Sequence, residues 1–111
     1  MGYRPGPDPE RQMNRDLVVL PEAEADLADA YTWYEERLPG LGSAFLLSVE
    51  AVINSISRNP QLYSLVHKNV RRALVRRFPY AVFYIVEESL IAVLAIFHAK
   101  RHPATWRKRS K

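Results

Sequence analysis

Arginine, histidine and aromatic side chains are concentrated in two stretches of the second half of the chain. Guanidinium groups bind phosphate or carboxylate in a bidentate way, aromatic rings stack on bases or on arginine, and an imidazole moves a proton near neutral pH. These stretches predict an anion-binding surface for a polyanion or an acidic protein, the alternative being a solvated basic face. The residues that could contribute are Arg71, Arg72, Arg76, Arg77, Tyr80, His98, Lys100, Arg101, His102 and Trp106.

Other kinds of chemistry have weaker support in the sequence. Residues 40–42 begin no glycine-rich nucleotide-binding motif, and Ser43 lies in no nucleophile elbow. His98 and His102 have the spacing of metal ligands on a helix. However, Pro103 follows directly, so we expect no helix there, and no third ligand is near. The sequence therefore predicts neither a metal site nor a cofactor.

The charge of the chain is unevenly divided. Residues 1–66 carry five Lys or Arg and ten Asp or Glu, whereas residues 67–111 carry eleven and two, so the net charge of +4 hides an acidic part and a basic part. The chain has no cysteine, which excludes disulfides, thiolate metal sites and a cysteine nucleophile. No secretory signal and no apolar run of membrane-spanning length is visible, so we expect a cytoplasmic protein.

The first half of the chain predicts a short strand and two helices. Residues 1–15 have no apolar period and are expected to be a flexible leader or a cloning remnant. A strand is predicted over residues 16–20, and Pro21 suits the first turn of the helix that follows. A Pro-Gly pair ends that helix, and Ser43 is expected to cap the second. The buried stripe of this second helix is predicted to be Phe45, Val49, Val52 and Ile56.

In the second half, the apolar pattern changes to a period of two, which predicts strands. The expected segments are a loop over 61–69, strands over 70–78, 80–86 and 90–98, and a basic tail over 99–111. The last strand is apolar on both faces, so we expect it at the centre of the sheet. The predicted fold class is α+β, with a short N-terminal strand and an antiparallel helical hairpin packed on one face of a small, mostly antiparallel sheet. The other face is expected to be open or covered by a partner.

The strand predicted over 70–78 would divide its arginines between two faces. Alternation puts Arg71 and Arg77 on one face and Arg72 and Arg76 on the other. A single patch would then hold at most half of them.

Two segments resemble the RelE/ParE toxin family of bacterial type II toxin–antitoxin modules. The segment VRRALVRRFPYAVFYIVEESLIAVLAIFHAKRHPATW is similar to the C-terminal half of such toxins, with the Arg-Arg pair, the Phe-Pro-Tyr bend and the His-x-x-Arg-x-Pro ending in family order. The segment LPEAEADLADAYTWYEERLPGLGSAF looks like the family's first helix and its turn into the second. The resemblance assigns residues 16–107 to one toxin domain, followed by a basic tail over 108–111.

The resemblance implies a fold, a partner and a choice between two targets. Family members fold as a helical hairpin on a small sheet and are neutralised by an acidic antitoxin that wraps across sheet and helices, often in plasmid-stabilisation modules. RelE-like members cut messenger RNA on the ribosome. ParE-like members inhibit DNA gyrase by binding and are not known to be catalysts themselves.

Departures from the RelE-like pattern favour the ParE-like branch. RelE-like members commonly carry an arginine at the position of Ala81 and lysines before the first hairpin strand, where only Lys68 occurs. Trp106 stands where a proton-donating tyrosine or histidine often completes their site. We therefore expect a growth-inhibiting gyrase binder, leaning away from an enzyme, whose contacts with target or antitoxin use Arg71, Arg72, Arg76, Arg77, Tyr80, Arg101 and Trp106.

Two alternatives stay open. The first is a ribosome-dependent endoribonuclease whose catalytic residues would be His98, Lys100, Arg101 and His102. The second is a degenerate toxin that binds its antitoxin and little else.

Overall fold

The computed structural model describes residues 16–100 and 103–110 of the chain. In chain order, these residues form β1 (Asp16–Val19), α1 (Pro21–Arg37), α2 (Leu41–Arg58), β2 (Leu65–His67), β3 (Val70–Leu74), β4 (Tyr80–Val86), β5 (Leu90–His98) and α3 (Pro103–Ser110). No helix within the described ranges combines the length and apolarity needed to cross a membrane.

The five strands form one sheet in the order β1-β5-β4-β3-β2. Strand β1 is parallel to β5, and the other neighbouring pairs are antiparallel. Strand β5 lies between β1 and β4, and its residues from Ile91 to Phe97 are all buried. The α+β fold class is therefore confirmed. Strand β5 is an interior strand buried on both faces, as expected, but the middle of the five strands is β4.

The helical hairpin is held at its turn by a carboxylate of the first helix. Helix α2 begins at Leu41, after Gly40 with a positive φ of 93°. The Glu35 carboxylate accepts hydrogen bonds from the backbone N–H groups of Gly40, at 2.8 Å, and Gly42, at 2.9 Å. The prediction that Ser43 caps this helix is wrong, because α1 supplies the acceptor. A Cβ at Gly42 would stand 2.8 Å from both Glu35 Oε1 and the Tyr31 carbonyl oxygen, so only glycine fits.

The hairpin packs on one face of the sheet and encloses the larger core. The predicted stripe of Phe45, Val49, Val52 and Ile56 is buried, as expected from its spacing of three and four. Helix α1 approaches the sheet through the small residues Ala23 and Ala30. Small side chains on α1 and larger ones on α2 therefore set how closely each helix lies against the strands.

The second face of the sheet carries α3, which the sequence prediction missed. The expected basic tail is helical over Pro103–Ser110, since proline is tolerated at the first turn of a helix. Trp106 on this helix is 5% exposed and stacks on Phe83, with ring centroids 4.7 Å apart. This face is therefore neither fully open nor left wholly to a partner.

Two further boundaries differ from the prediction. A short strand, β2 (Leu65–His67), lies within the expected loop because it pairs with β3. Strand β3 ends at Leu74 rather than at residue 78, because the chain turns there: the Val75 N–H donates to the Tyr80 carbonyl oxygen at 2.8 Å.

Beyond the end of β1, side chains form hydrogen bonds with the backbone on the outer edge of β5. Strand β1 pairs with β5 only as far as Val93, and Leu94 is an extra residue, because Phe83 and Tyr84 pair with Ala95 and Val93. The Ile96 N–H donates to Asp26 Oδ2 at 3.0 Å, and Arg109 Nη1 donates to the Leu94 carbonyl oxygen at 3.0 Å. Arg109 and Asp26 also form an ion pair at 2.8 Å.

We expect Asp26→Ala to lower the free energy of unfolding by about 2 kcal/mol, because the Ile96 N–H and Arg109 would both lose their acceptor. The matched change Asp29→Ala removes an exposed carboxylate of the same helix and should stay within about 0.5 kcal/mol of the wild type. Urea unfolding followed by circular dichroism measures both. Equal midpoints for the two variants would show that the edge contact adds no stability.

Candidate functional site

The side chain of Arg71 forms hydrogen bonds within the domain. Strand β3 pairs Arg71 with Tyr84, on the face of the sheet that the helical hairpin covers. Arg71 Nη1 donates to the carbonyl oxygens of Tyr63, at 2.5 Å, and Gln61, at 3.4 Å. The guanidinium group thus ties the segment before β2 to the sheet through its Nη1 atom.

The hydroxyl groups of Tyr84 and Tyr63 also hold the segment before β2 in place. The Tyr84 hydroxyl donates to the Pro60 carbonyl oxygen at 2.6 Å, and the Tyr63 hydroxyl is hydrogen-bonded to Ser55 Oγ at 2.8 Å. Burial raises the pKa of Tyr84 to about 12, although the nearby charge of Arg71 opposes this shift. The phenol therefore stays protonated and acts as a donor within the fold.

Arg72 lies on the other face of the sheet, opposite Phe83, and its side chain is exposed. The predicted separation of Arg71 and Arg72 onto two faces is confirmed. The predicted alternation of Arg76 and Arg77 is wrong, because β3 ends before them. Both belong to the turn that joins β3 to β4.

This turn holds one residue in a strained conformation. Arg77 has a φ of 74°, in the left-handed region that non-glycine residues rarely adopt. Arg76 and Arg77 are exposed, and neither forms an ion pair or a hydrogen bond among the described residues. The turn therefore exposes two guanidinium groups that have no partner in the part of the chain that the structure describes. At Arg77 it also has a backbone conformation that glycine would adopt with less strain.

A groove lies between this turn and α2. It has a volume of about 630 Å³ and is lined by Ala44, Leu47, Ser48, Ala51, Arg76 and Arg77. We call it the β3–β4 groove. Its floor is an apolar strip of α2, on the side away from the buried stripe.

Tyr80 and His98 lie together at the end of the β4–β5 pair where β4 begins and β5 ends. They are direct cross-strand partners, and their ring centroids are 5.7 Å apart. Tyr80 also packs against Tyr34 and Phe45, which anchors it in the core. His98 is exposed, and its Nδ1 accepts a hydrogen bond from the Lys100 N–H at 3.2 Å.

The rest of the predicted catalytic set is only partly placed. Arg101 and His102 lie outside the described residues. Trp106 is buried against Phe83, so its indole ring holds α3 to the sheet and has little surface left for a partner. Across the described ranges, no cluster of His, Asp and Glu could hold a metal ion.

Asp26 and Arg109 are two important residues that were not predicted from the sequence. A signal for Asp26 was present, because it lies between Ala23 and Ala30 on the apolar stripe of α1, where a carboxylate needs a partner. Nothing comparable distinguished Arg109 from its basic neighbours in the last residues of the chain.

A match to a family model places the protein in a known class of toxins. The family model described as the ParE toxin of the type II toxin–antitoxin system, parDE, matches residues 17–103. The chain therefore belongs to the ParE toxin family, within the RelE/ParE superfamily of type II toxins. No curated protein matches it in sequence.

Two solved structures share the fold at low sequence identity. The chromosomal ParDE system from P. aeruginosa matches with a TM-score of 0.70 and 18% identity, over 78% of this chain and 97% of that chain. The toxin–antitoxin complex RelBE2 from Mycobacterium tuberculosis matches with a TM-score of 0.53 and 17% identity, over 78% and 92%. At these identities the similarity establishes the fold alone.

Arg71→Ala should destabilise the protein by about 1–2 kcal/mol, because it removes charge-assisted hydrogen bonds to the segment before β2. Arg72→Ala, on the neighbouring exposed position, should change stability by less than about 0.5 kcal/mol. Thermal and urea unfolding of the pair test this. Arg72→Ala destabilising as much as Arg71→Ala would contradict the structural role given to Arg71.

Arg77→Gly should raise the free energy of unfolding by about 0.5–1 kcal/mol, because glycine adopts a positive φ without the clash at Cβ. Arg76→Gly should lower it by a similar amount, because φ is not positive at this position. Melting temperatures that moved in the same direction for both variants would argue against strain at Arg77.

Proposed function

We propose that this protein is a ParE-like toxin that inhibits DNA gyrase by binding and is neutralised by an acidic antitoxin. The observation that carries the proposal is Ala81, which is fully buried and occupies the position where RelE-like members commonly carry an arginine. A cytoplasmic location belongs to the proposal, because gyrase acts there.

The requirements of RNA cleavage support the non-catalytic assignment. Attack by a ribose 2′-hydroxyl on the adjacent phosphate needs a base, a cation at the developing charge and a donor to the leaving oxygen. A methyl group at Ala81 stabilises no charge, and Trp106 is buried and stacked on Phe83, so its indole ring does not reach a leaving oxygen. His98 and Lys100 are the exposed members of the alternative set within the described residues.

The surface proposed for partner contacts consists of the arginines that the fold does not use. Arg72, Arg76 and Arg77 are exposed, whereas Arg71 and Arg109 are held by hydrogen bonds inside the domain. Arginine suits such contacts because its planar fork binds carboxylate or phosphate in a bidentate way.

We expect the purified toxin to block supercoiling of relaxed plasmid by gyrase at stoichiometric excess. Changing Arg72, Arg76 and Arg77 together to alanine should weaken the inhibition at least about tenfold, because the lost charge-assisted contacts are each worth more than 1 kcal/mol. Arg58→Ala, an exposed arginine at the end of α2, is the matched control and should inhibit as the wild type does.

A parallel primer-extension experiment on ribosome-bound transcripts separates the alternatives. Discrete cuts that disappear in His98→Ala, with gyrase unaffected, would assign the protein to the endoribonuclease branch instead. Neither gyrase inhibition nor cleavage would leave a toxin that only binds its antitoxin.

A further inference from the structure

We propose that a cleft between α1 and the end of the β4–β5 pair binds the guanidinium group of an arginine side chain that a partner protein supplies. The cleft, which we call the α1–β5 cleft, has a volume of about 480 Å³. Ligand-binding clefts typically measure about 300–1,000 Å³. The site is separate from the exposed arginines on which the proposed function depends, and its charge has the opposite sign.

The cleft exists because the sheet is incomplete on this side. Strand β1 pairs with β5 only as far as Val93, so β5 continues to His98 with no strand on its outer side among the described residues. Helix α1 lies along this gap and lines it with residues that follow the helical repeat and so share one face. These residues are Asp26, Asp29, Ala30, Trp33 and Tyr34.

The cleft contains a negative charge that the protein does not compensate. Of its two carboxylates, that of Asp26 is paired with Arg109. The exposed Asp29 carboxylate has neither an ion pair nor a hydrogen bond within the described ranges. His98 also lines the cleft, but its Nδ1 accepts a hydrogen bond from the Lys100 N–H, so in this arrangement Nδ1 carries no proton and the ring is neutral. The lining therefore favours a cation and disfavours a phosphate.

Two tyrosines in the wall of the cleft offer hydrogen-bond acceptors. The rings of Tyr34 and Tyr80 have centroids 6.0 Å apart, and neither hydroxyl has a hydrogen-bond partner among the described residues. No buried side-chain polar atom of these residues lacks a partner, so both hydroxyls are open to solvent. Burial raises the pKa of Tyr34, and the nearby Tyr80 adds to the shift, so this phenol stays uncharged. Each hydroxyl oxygen is available to a guanidinium N–H.

Trp33 shows that a guanidinium group suits this part of α1. The Cζ atom of Arg37, one turn further along the helix, lies 3.6 Å from the centroid of the Trp33 ring. Trp33 lines the cleft and is 50% exposed, so part of its side chain remains available there. A guanidinium group is planar and stacks on aromatic rings more readily than an ammonium group does. Arginine is therefore the cation that uses the aromatic wall and the Asp29 carboxylate together.

The openness of the cleft indicates a side chain of a partner rather than a free small molecule. Asp29, Trp33, Pro79 and His98 all line the cleft and are all exposed. Sites for small molecules usually bury most of the ligand surface, which this cleft does not do. An arginine side chain can enter it while the backbone that carries it stays outside. The partner segment is therefore basic, in contrast to the acidic partner that Arg72, Arg76 and Arg77 suit.

The test is an NMR titration of the ¹⁵N-labelled full-length protein with the tripeptide acetyl-Gly-Arg-Gly-amide. The protein has two tryptophans, and Trp33→Phe assigns their indole N–H signals. The Trp33 signal should shift as the peptide is added, whereas the signal of Trp106, which is buried against Phe83, should not. Trp106 is therefore a control within the same molecule. Equal shifts of both signals, or no shift at Trp33, would overturn the proposal.

A pair of variants tests the carboxylate. Asp29→Asn should raise the Kd of the tripeptide about fivefold, because it removes a partly exposed ion pair while keeping the shape of the side chain. Glu50→Gln removes the same charge from an exposed position on α2, outside the cleft, and should leave Kd unchanged. Equal Kd values for the two variants would show that Asp29 binds no guanidinium group.

Two further probes test the chemistry of the occupant and its source. Replacing the arginine of the tripeptide with citrulline keeps the planar group but removes its charge, and should weaken binding at least about tenfold. Agmatine, a free alkylguanidinium ion, should bind no more tightly than the tripeptide. Equal binding of the citrulline peptide would rule out recognition of a cation. Agmatine binding at least about tenfold more tightly would replace the partner side chain with a free small molecule.

Discussion

The contact between Asp26 and Arg109 is the interaction on which the arrangement of the layers depends. It joins α1, on one face of the sheet, to α3, on the other, at the one place where the edge of β5 has no neighbouring strand among the described residues. The same two side chains satisfy the Ile96 N–H and the Leu94 carbonyl oxygen. An unpaired strand edge invites pairing with other chains, so this contact both covers part of the exposed edge of β5 and helps to position α3 for the stacking of Trp106 on Phe83.

The basic character of the second half of the chain has two separate causes. Arg71 and Arg109 are structural, because their guanidinium groups bind backbone carbonyl oxygens of the domain. Arg72, Arg76 and Arg77 remain on the surface. The charge pattern of the sequence does not separate structural from exposed arginines, because it does not show which arginine has a hydrogen-bond acceptor in a distant segment. The surface available to a partner therefore lacks at least two of the arginines that the charge asymmetry counts.

Local patterns predicted the elements whose determinants lie within them. The bounds of β4 and β5 were predicted correctly, as was the buried stripe of α2, because alternation and helical spacing record which faces are buried. Features set by distant residues were missed: the cap of α2 comes from Glu35, α3 is held by Phe83 and Asp26, and β2 exists because β3 lies beside it. The same holds for the candidate site. The arginines could be named from the sequence, but the turn at Arg77 and the groove beside it arise from tertiary structure.

The pairing of β1 with β5 has a consequence for how the chain acquires its structure. The hairpin of α1 and α2 is closed by contacts between residues five and seven positions apart, so it can form while little of the chain is available. Strand β1, directly before it in sequence, finds its partner only in Leu90–Val93, near the other end of the domain. Closing a loop of that length is entropically expensive and is repaid only by the completed sheet. During synthesis, β1 can therefore pair only after almost the whole domain has been made. A chain that ends before β5 lacks the strand with which β1 pairs.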